Sequence, residues 1–145
     1  MLHKKCKKIY DDLILADAAQ LPIKRKSIDV CLACEVIEHL SNSEAKLLLT
    51  SLQYVSREKI IISTPNYEYV QNEARGNPYE KHVSLWNRKA FELQGYSIKG
   101  VGLQIQGKIF FSRIPLLRGL LARVVLPWKF AGFAELIVGI KDVRS

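Results

Sequence analysis

Two carboxylates and an imidazole stand together in Glu35-Val36-Ile37-Glu38-His39, and a second imidazole, His82, follows Asn77-Pro78 further along the chain. If the first run is helical, the i, i+3, i+4 spacing puts Glu35, Glu38 and His39 on one face. The loop carrying His82 is then able to fold back over them. Two carboxylates and two imidazoles are a donor set for a divalent ion such as magnesium or manganese. Without an ion, His39 or His82 could serve as general base on a substrate hydroxyl or amine. His82 also fits a structural hydrogen-bonding role beside Trp86. Cys31 and Cys34 tempt a zinc or redox reading, but they fall on a predicted strand, where i and i+3 side chains point to opposite faces. No second cysteine pair exists and Cys6 is distant, so both are expected as buried thiols.

The elements that must position these residues read as an alternation of strands and helices. Leu13-Ile14-Leu15-Ala16, ending at Asp17, is expected as a buried parallel strand, and Asp29-Val30-Cys31-Leu32-Ala33-Cys34 as a second. Ser41 followed by Glu44 is a capping box, opening a helix with Leu48, Leu52 and Val55 on one face. Lys59-Ile60-Ile61-Ile62-Ser63 is a third buried strand, stopped by Thr64-Pro65-Asn66. Asn87 caps a short helix through Leu93 that ends at Gly95. Residues 96–103 and 134–140 read as the last strands. The pattern predicts an α/β domain with a mostly parallel sheet and an antiparallel edge. Residues 109–128 are apolar, yet Arg113, Arg118 and Arg123 recur through them and Pro115 and Pro127 interrupt them. A membrane span needs about 20 mostly uncharged residues, so the segment 109–133 is expected to be a lid, a dimer surface or an interfacial helix pair.

In order along the chain, Leu15-Ala16-Asp17-Ala18, Leu21-Pro22, Ser27-Ile28-Asp29-Val30 and Glu35-Val36-Ile37-Glu38-His39-Leu40 resemble a class I S-adenosylmethionine (SAM)-dependent methyltransferase of the type 11 kind. Ile61-Ile62-Ser63-Thr64-Pro65-Asn66 is similar to that family's fifth strand, and His82-Val83-Ser84-Leu85-Trp86 with Phe91 and Gly95-Tyr96 to the substrate-side segment before its sixth. The resemblance implies a Rossmann-like sheet, SAM as cofactor, and a site outside the carboxyl ends of the strands. It places Asp17 and the Ala18 amide near the adenine, and Cys34 and Glu35 beside the methionine moiety. Read without the resemblance, Asp17 is a turn-capping acid. The pattern of Glu35, Glu38, His39 and His82, with Thr64-Pro65-Asn66-Tyr67-Glu68, is similar to that of small-RNA 3′-terminal 2′-O-methyltransferases, and also to that of ubiquinone-pathway O-methyltransferases. Glu-x-x-Glu-His is common across methyltransferases that bind no metal there. No metal is therefore assigned at this level, and His39 and His82 are the catalytic candidates.

One departure bears on the cofactor. The family's glycine-rich loop and the ribose-binding acid of its second strand have no counterpart before Asp12, where the residues are lysine-rich and contain no glycine. The sequence therefore reads as an N-terminally truncated methyltransferase domain, with a weakened cofactor site and an activity in question. A non-catalytic interaction module of the same fold is the alternative, and a metal-dependent RNA 2′-O-methyltransferase another. The acceptor is then a small molecule or RNA. With its neighbours missing, the strand around Val30 would be an open apolar edge, which leads to the expectation of a homo-oligomer.

Composition agrees with a single domain spanning all 145 residues: 48% are hydrophobic and 25% charged, which excludes a disordered, collagenous or disulfide-scaffold chain. The net charge of +8 sits at the ends, with four lysines and no acid in residues 1–8 and eight basic against two acidic residues in 99–145. Basic ends attract nucleic acid or anionic lipid, so peripheral membrane contact is compatible, although solubilising charge around an apolar tail explains them as well. Three cysteines and no signal peptide point to the reducing cytoplasm.

Overall fold

The computed structural model describes residues 9–66, 77–103 and 134–144. Its frame is a sheet of four strands in the order β1-β2-β4-β3, where β1 is Ile28–Cys34, β2 is Ser56–Pro65, β3 is Ser97–Leu103 and β4 is Ala134–Asp142. Strand β1 runs parallel to β2, with Cys31 opposite Ile60 and Ala33 opposite Ile62. Strands β2 and β3 both pair with β4 in antiparallel sense. The expectation of a mostly parallel sheet is thus corrected. Of the three pairings among the described residues one is parallel, that of β1 with β2, and a helical crossover joins those two strands.

That crossover is α1, Asn42–Val55. It begins where the capping box places it: Ser41 Oγ accepts from the Glu44 amide, and the Ser41 amide donates to Glu44 Oε2 at 2.9 Å. Leu48, Leu52 and Val55 are buried as their spacing predicts, and Ala45 and Leu49 join them. This stripe packs on one face of the sheet with Cys31, Ala33, Ile60, Ile62 and Ile137. Helix α2, Arg88–Leu93, starts at Asn87, whose Oδ1 accepts from the Ala90 amide at 3.0 Å. It stops at Gly95, which takes φ of +81°, a conformation that favours glycine. Phe91 from α2 is fully buried between Trp86 and Tyr96, with ring centroids 5.4 and 5.7 Å away.

Three expectations fail here. Residues 13–16 form no strand: Ile14 and Leu15 are exposed, and the sheet pairs β1 with β2 alone among the described residues. Instead the chain turns at residues 17–20, where the Gln20 amide donates to the Asp17 carbonyl and Ala19 is buried. Ser51 of α1 donates to the Ala19 carbonyl, so the turn is fastened to the helix and not to the sheet. Strand β2 runs on through Pro65, because β4 supplies partners for Thr64 and Pro65. Of the two thiols, Cys31 is buried but Cys34 is exposed, since the pleat sends them to opposite faces and α1 covers one. Cys6 and the segment 109–133 lie outside the described residues. No helix among the described residues is long and apolar enough to cross a membrane.

Candidate functional site

The residues singled out for chemistry gather at the carboxyl ends of β1 and β2. After Cys34 the chain does not enter a helix. Glu35 takes φ of +53°, left-handed backbone that costs a non-glycine residue about 1–2 kcal/mol. Only a three-residue 3-10 turn, Ile37–His39, follows. The expected sharing of one helical face by Glu35, Glu38 and His39 is therefore overturned. Glu35 is sent elsewhere: its amide donates to the Ser63 carbonyl at 3.1 Å, and Ser63 Oγ donates to its Oε1 at 2.8 Å.

Glu38 and His39 remain together, and the loop 81–84 folds over them as anticipated. The Val83 and Ser84 amides both donate to the Glu38 carbonyl, at 2.9 and 3.2 Å, and Ser84 Oγ donates to the Ile37 carbonyl. His39 Nδ1 lies 3.1 Å from the Lys81 carbonyl. A carbonyl can only accept, so Nδ1 carries the proton and Nε2 is left with its lone pair. These bonds bring His82 beside His39, with ring centroids 4.9 Å apart and the planes at 72°. Trp86 donates Nε1 to Ser84 Oγ, so its partner is the serine.

Glu38 is the unusual member. It is only 3% exposed, and Thr64 Oγ1 donates to its Oε2 at 3.0 Å. Its other oxygen, Oε1, is buried with no hydrogen-bond partner. Burial first, and then the nearby Glu35 charge, push its pKa above the ordinary carboxylate range, against the opposing pull of hydrogen bonds and of His39. One ligand atom each from Glu38, His39 and His82 lie within 4.8 Å of one another. A buried carboxylate with one unsatisfied oxygen, grouped with two imidazoles, fits a divalent cation, which would supply the missing partner. Glu35 is not one of this group.

The residues assigned to SAM have local roles of their own. Asp17 is exposed and its Oδ1 accepts from the Ala19 amide at 2.8 Å, the turn-capping geometry of its plainer reading. Ala18 is half-buried in the same turn. Cys34 and Glu35 are exposed at the carboxyl end of β1. A turn and a strand end are thus on offer to a cofactor, but the described residues include no glycine-rich strand–loop–helix to receive its remainder. Sequence reasoning missed Ser63 and Thr64 as carboxylate holders. Their signal is two adjacent hydroxyls at the carboxyl end of a buried strand, where α/β sheets build sites.

No family model matches the sequence, and no curated relative matches it. Thirteen chains of solved structures do. The methyltransferase domain of bacterial CtHen1-CN is 25% identical over 89% of this chain and 60% of its own, with a TM-score of 0.47. Small RNA methyltransferase HEN1 is 17% identical over 88% of this chain and 15% of its own, with a TM-score of 0.48. A SAM-dependent methyltransferase from Archaeoglobus fulgidus is 16% identical over 97% of this chain and 73% of its own, with a TM-score of 0.54. The chain thus spans 60% or less of the two Hen1 proteins. The likeness to the archaeal enzyme is one of fold. The chain has the fold of the class I SAM-dependent methyltransferases.

Proposed function

We propose that this chain is the acceptor-binding part of a SAM-dependent methyltransferase in which Glu38, His39 and His82 hold a divalent ion, and that its acceptor is the 2′-hydroxyl of an RNA 3′-terminal ribose. The observation that carries the reading is the buried, unpartnered Glu38 Oε1 grouped with two imidazoles within 4.8 Å. Three protein ligands would leave such an ion able to take substrate oxygens as well. When bound, SAM would supply an electrophilic methyl group and the ion a positive charge that orients and acidifies a ligated hydroxyl. Methyl transfer is an in-line displacement, so alignment is the protein's main contribution.

The chain's own residues do that aligning. Lys81 fixes the His39 tautomer through its carbonyl, so that Nε2 presents a lone pair. The Val83 and Ser84 amides clip the His82 loop to the Glu38 backbone and hold the two rings at their spacing. Asp17 with Ala18, and Cys34 with Glu35, are the positions we assign to SAM contact.

Two features support RNA. The Glu38-His39 and His82 pattern resembles that of the small-RNA enzymes. In addition, residues 104–133 carry five basic and no acidic side chains. The residues that bracket them, Leu103 and Ala134, pair at the same end of the sheet as Pro65 and Thr64. A cationic segment of this kind attracts a polyanion. The test is binding of a short fluorescent RNA with a free 3′-terminal ribose, compared with the same RNA bearing a 2′-O-methyl terminus, with manganese or with chelator. Manganese should tighten binding of the first RNA alone. Equal affinity for both termini in manganese would refute the RNA reading.

A further inference from the structure

We infer that Thr64 is the positioning residue that leaves Glu38 one free oxygen, and that this restriction decides which divalent ion the Glu38, His39 and His82 cluster accepts. The inference rests on the metal reading above and adds a selectivity to it. Thr64 is 1% exposed, and its hydroxyl occupies Glu38 Oε2 at 3.0 Å. Oε1 is the oxygen left without a partner. The two oxygens of one carboxylate are therefore unequal: one is tied to the sheet by Thr64, the other has no hydrogen-bond partner.

Thr64 is well suited to hold that arrangement. Its backbone sits in the ladder opposite Ile137, which fixes its Cα, and a β-branched side chain has a stiff χ1. Ser63 cannot replace it, because adjacent strand residues point to opposite faces and the Ser63 hydroxyl is already given to Glu35. With Oε2 tied to Thr64, the carboxylate is held in one orientation and is less free to turn both oxygens to one ion. Calcium takes six to eight oxygen ligands and often uses both oxygens of a carboxylate, whereas manganese accepts imidazole nitrogen and an octahedral shell. A carboxylate so held beside two imidazoles favours manganese and penalises calcium. Releasing Oε2 should relax that preference.

The experiment titrates the full 145-residue chain with manganese, reading free ion by its electron paramagnetic resonance signal, and displaces it with calcium. The variants are Thr64→Val, which keeps the shape and loses the hydroxyl, and Thr64→Ser, which keeps the hydroxyl. Thr64→Val should lose about tenfold in manganese affinity, the scale seen for residues that orient metal ligands. Its manganese-to-calcium ratio should also narrow, while Thr64→Ser keeps the wild-type ratio. A general loss of stability would weaken both ions alike, so the ratio separates positioning from mere support. A folded Thr64→Val chain with the wild-type ratio would overturn the inference and leave the metal reading standing. If Thr64→Val does not fold, the wild type still decides: calcium binding as tightly as manganese overturns it. A wild-type chain that binds no manganese overturns the metal reading and this inference with it.

Discussion

Replacing Glu38 by Gln should make the metal-free protein more stable at neutral and alkaline pH, although the residue is buried and hydrogen-bonded. Wild-type Glu38 is 3% exposed, with one oxygen satisfied by Thr64 and the other by nothing. An unsatisfied buried polar atom costs about 1–3 kcal/mol. Glutamine keeps the Thr64 bond through its amide oxygen and replaces the unpartnered charged oxygen by a neutral NH2. It recovers part of that cost, and we expect a gain of about 1 kcal/mol at pH 8. For a chain of 145 residues this is a rise in Tm of about 3 °C.

The gain must also depend on pH in a defined sense. The pKa of Glu38 is raised in the fold, chiefly by burial, above the unfolded value of about 4.3. The folded state therefore holds the extra proton through this window, and wild-type stability is lost as pH rises from about 4.3 through the raised value. At pH 4 both chains are neutral at this position and the difference should vanish. Thermal melts of both chains in chelator from pH 4 to 8 read this directly. A Glu38→Gln chain that is less stable at pH 8, or that shows the wild-type slope, would refute the buried-carboxylate account.

Three other outcomes follow from the packing. Ser41→Ala should cost about 1 kcal/mol in urea unfolding, because it removes the side-chain half of the α1 capping box. Phe91→Ala should cost about 3–5 kcal/mol, since the ring is fully buried between Trp86 and Tyr96. Under native conditions a thiol reagent should modify Cys34 quickly and Cys31 only on unfolding, because Cys34 is exposed whereas burial pushes the Cys31 thiol pKa up. Peptide mapping of the labelled protein distinguishes the two.

What the sequence made legible is what depends on local rules. The Ser41–Glu44 box, the apolar spacing through Leu48, Leu52 and Val55, and the Asn87 and Gly95 caps are all encoded within a few residues of where they act. They appear in the structure where they were read. The strand of residues 13–16 failed because an apolar run specifies burial only if neighbours exist, and no partner strand flanks it among the described residues. Glu35 failed for a different reason. Its i, i+3 spacing to Glu38 has meaning on a helix, but the left-handed turn at Glu35 breaks the helix before it starts.

For the site, residue types were legible and the environment was not. His39, His82 and Glu38 were all named, yet the decisive fact about Glu38 is its burial with one oxygen bare. That arises from long-range contacts: Thr64 on β2 and the amides of Val83 and Ser84, far along the chain. Local sequence favoured the common metal-free reading of Glu-x-x-Glu-His. The three-dimensional grouping is what moves the balance toward an ion.

The most direct test of the account is the manganese stoichiometry of the wild-type chain set against His82→Ala, measured by electron paramagnetic resonance with a thermal melt of each sample. His82 enters the cluster from a loop rather than from the 3-10 turn, so its loss removes a ligand and leaves the turn's own geometry in place. The account predicts one ion per wild-type chain, and at a hundred times the Kd a stabilisation of about 2.7 kcal/mol, both lost in His82→Ala. A wild-type chain that neither binds manganese nor gains stability at millimolar ion, or a His82→Ala chain that binds as the wild type does, would contradict it.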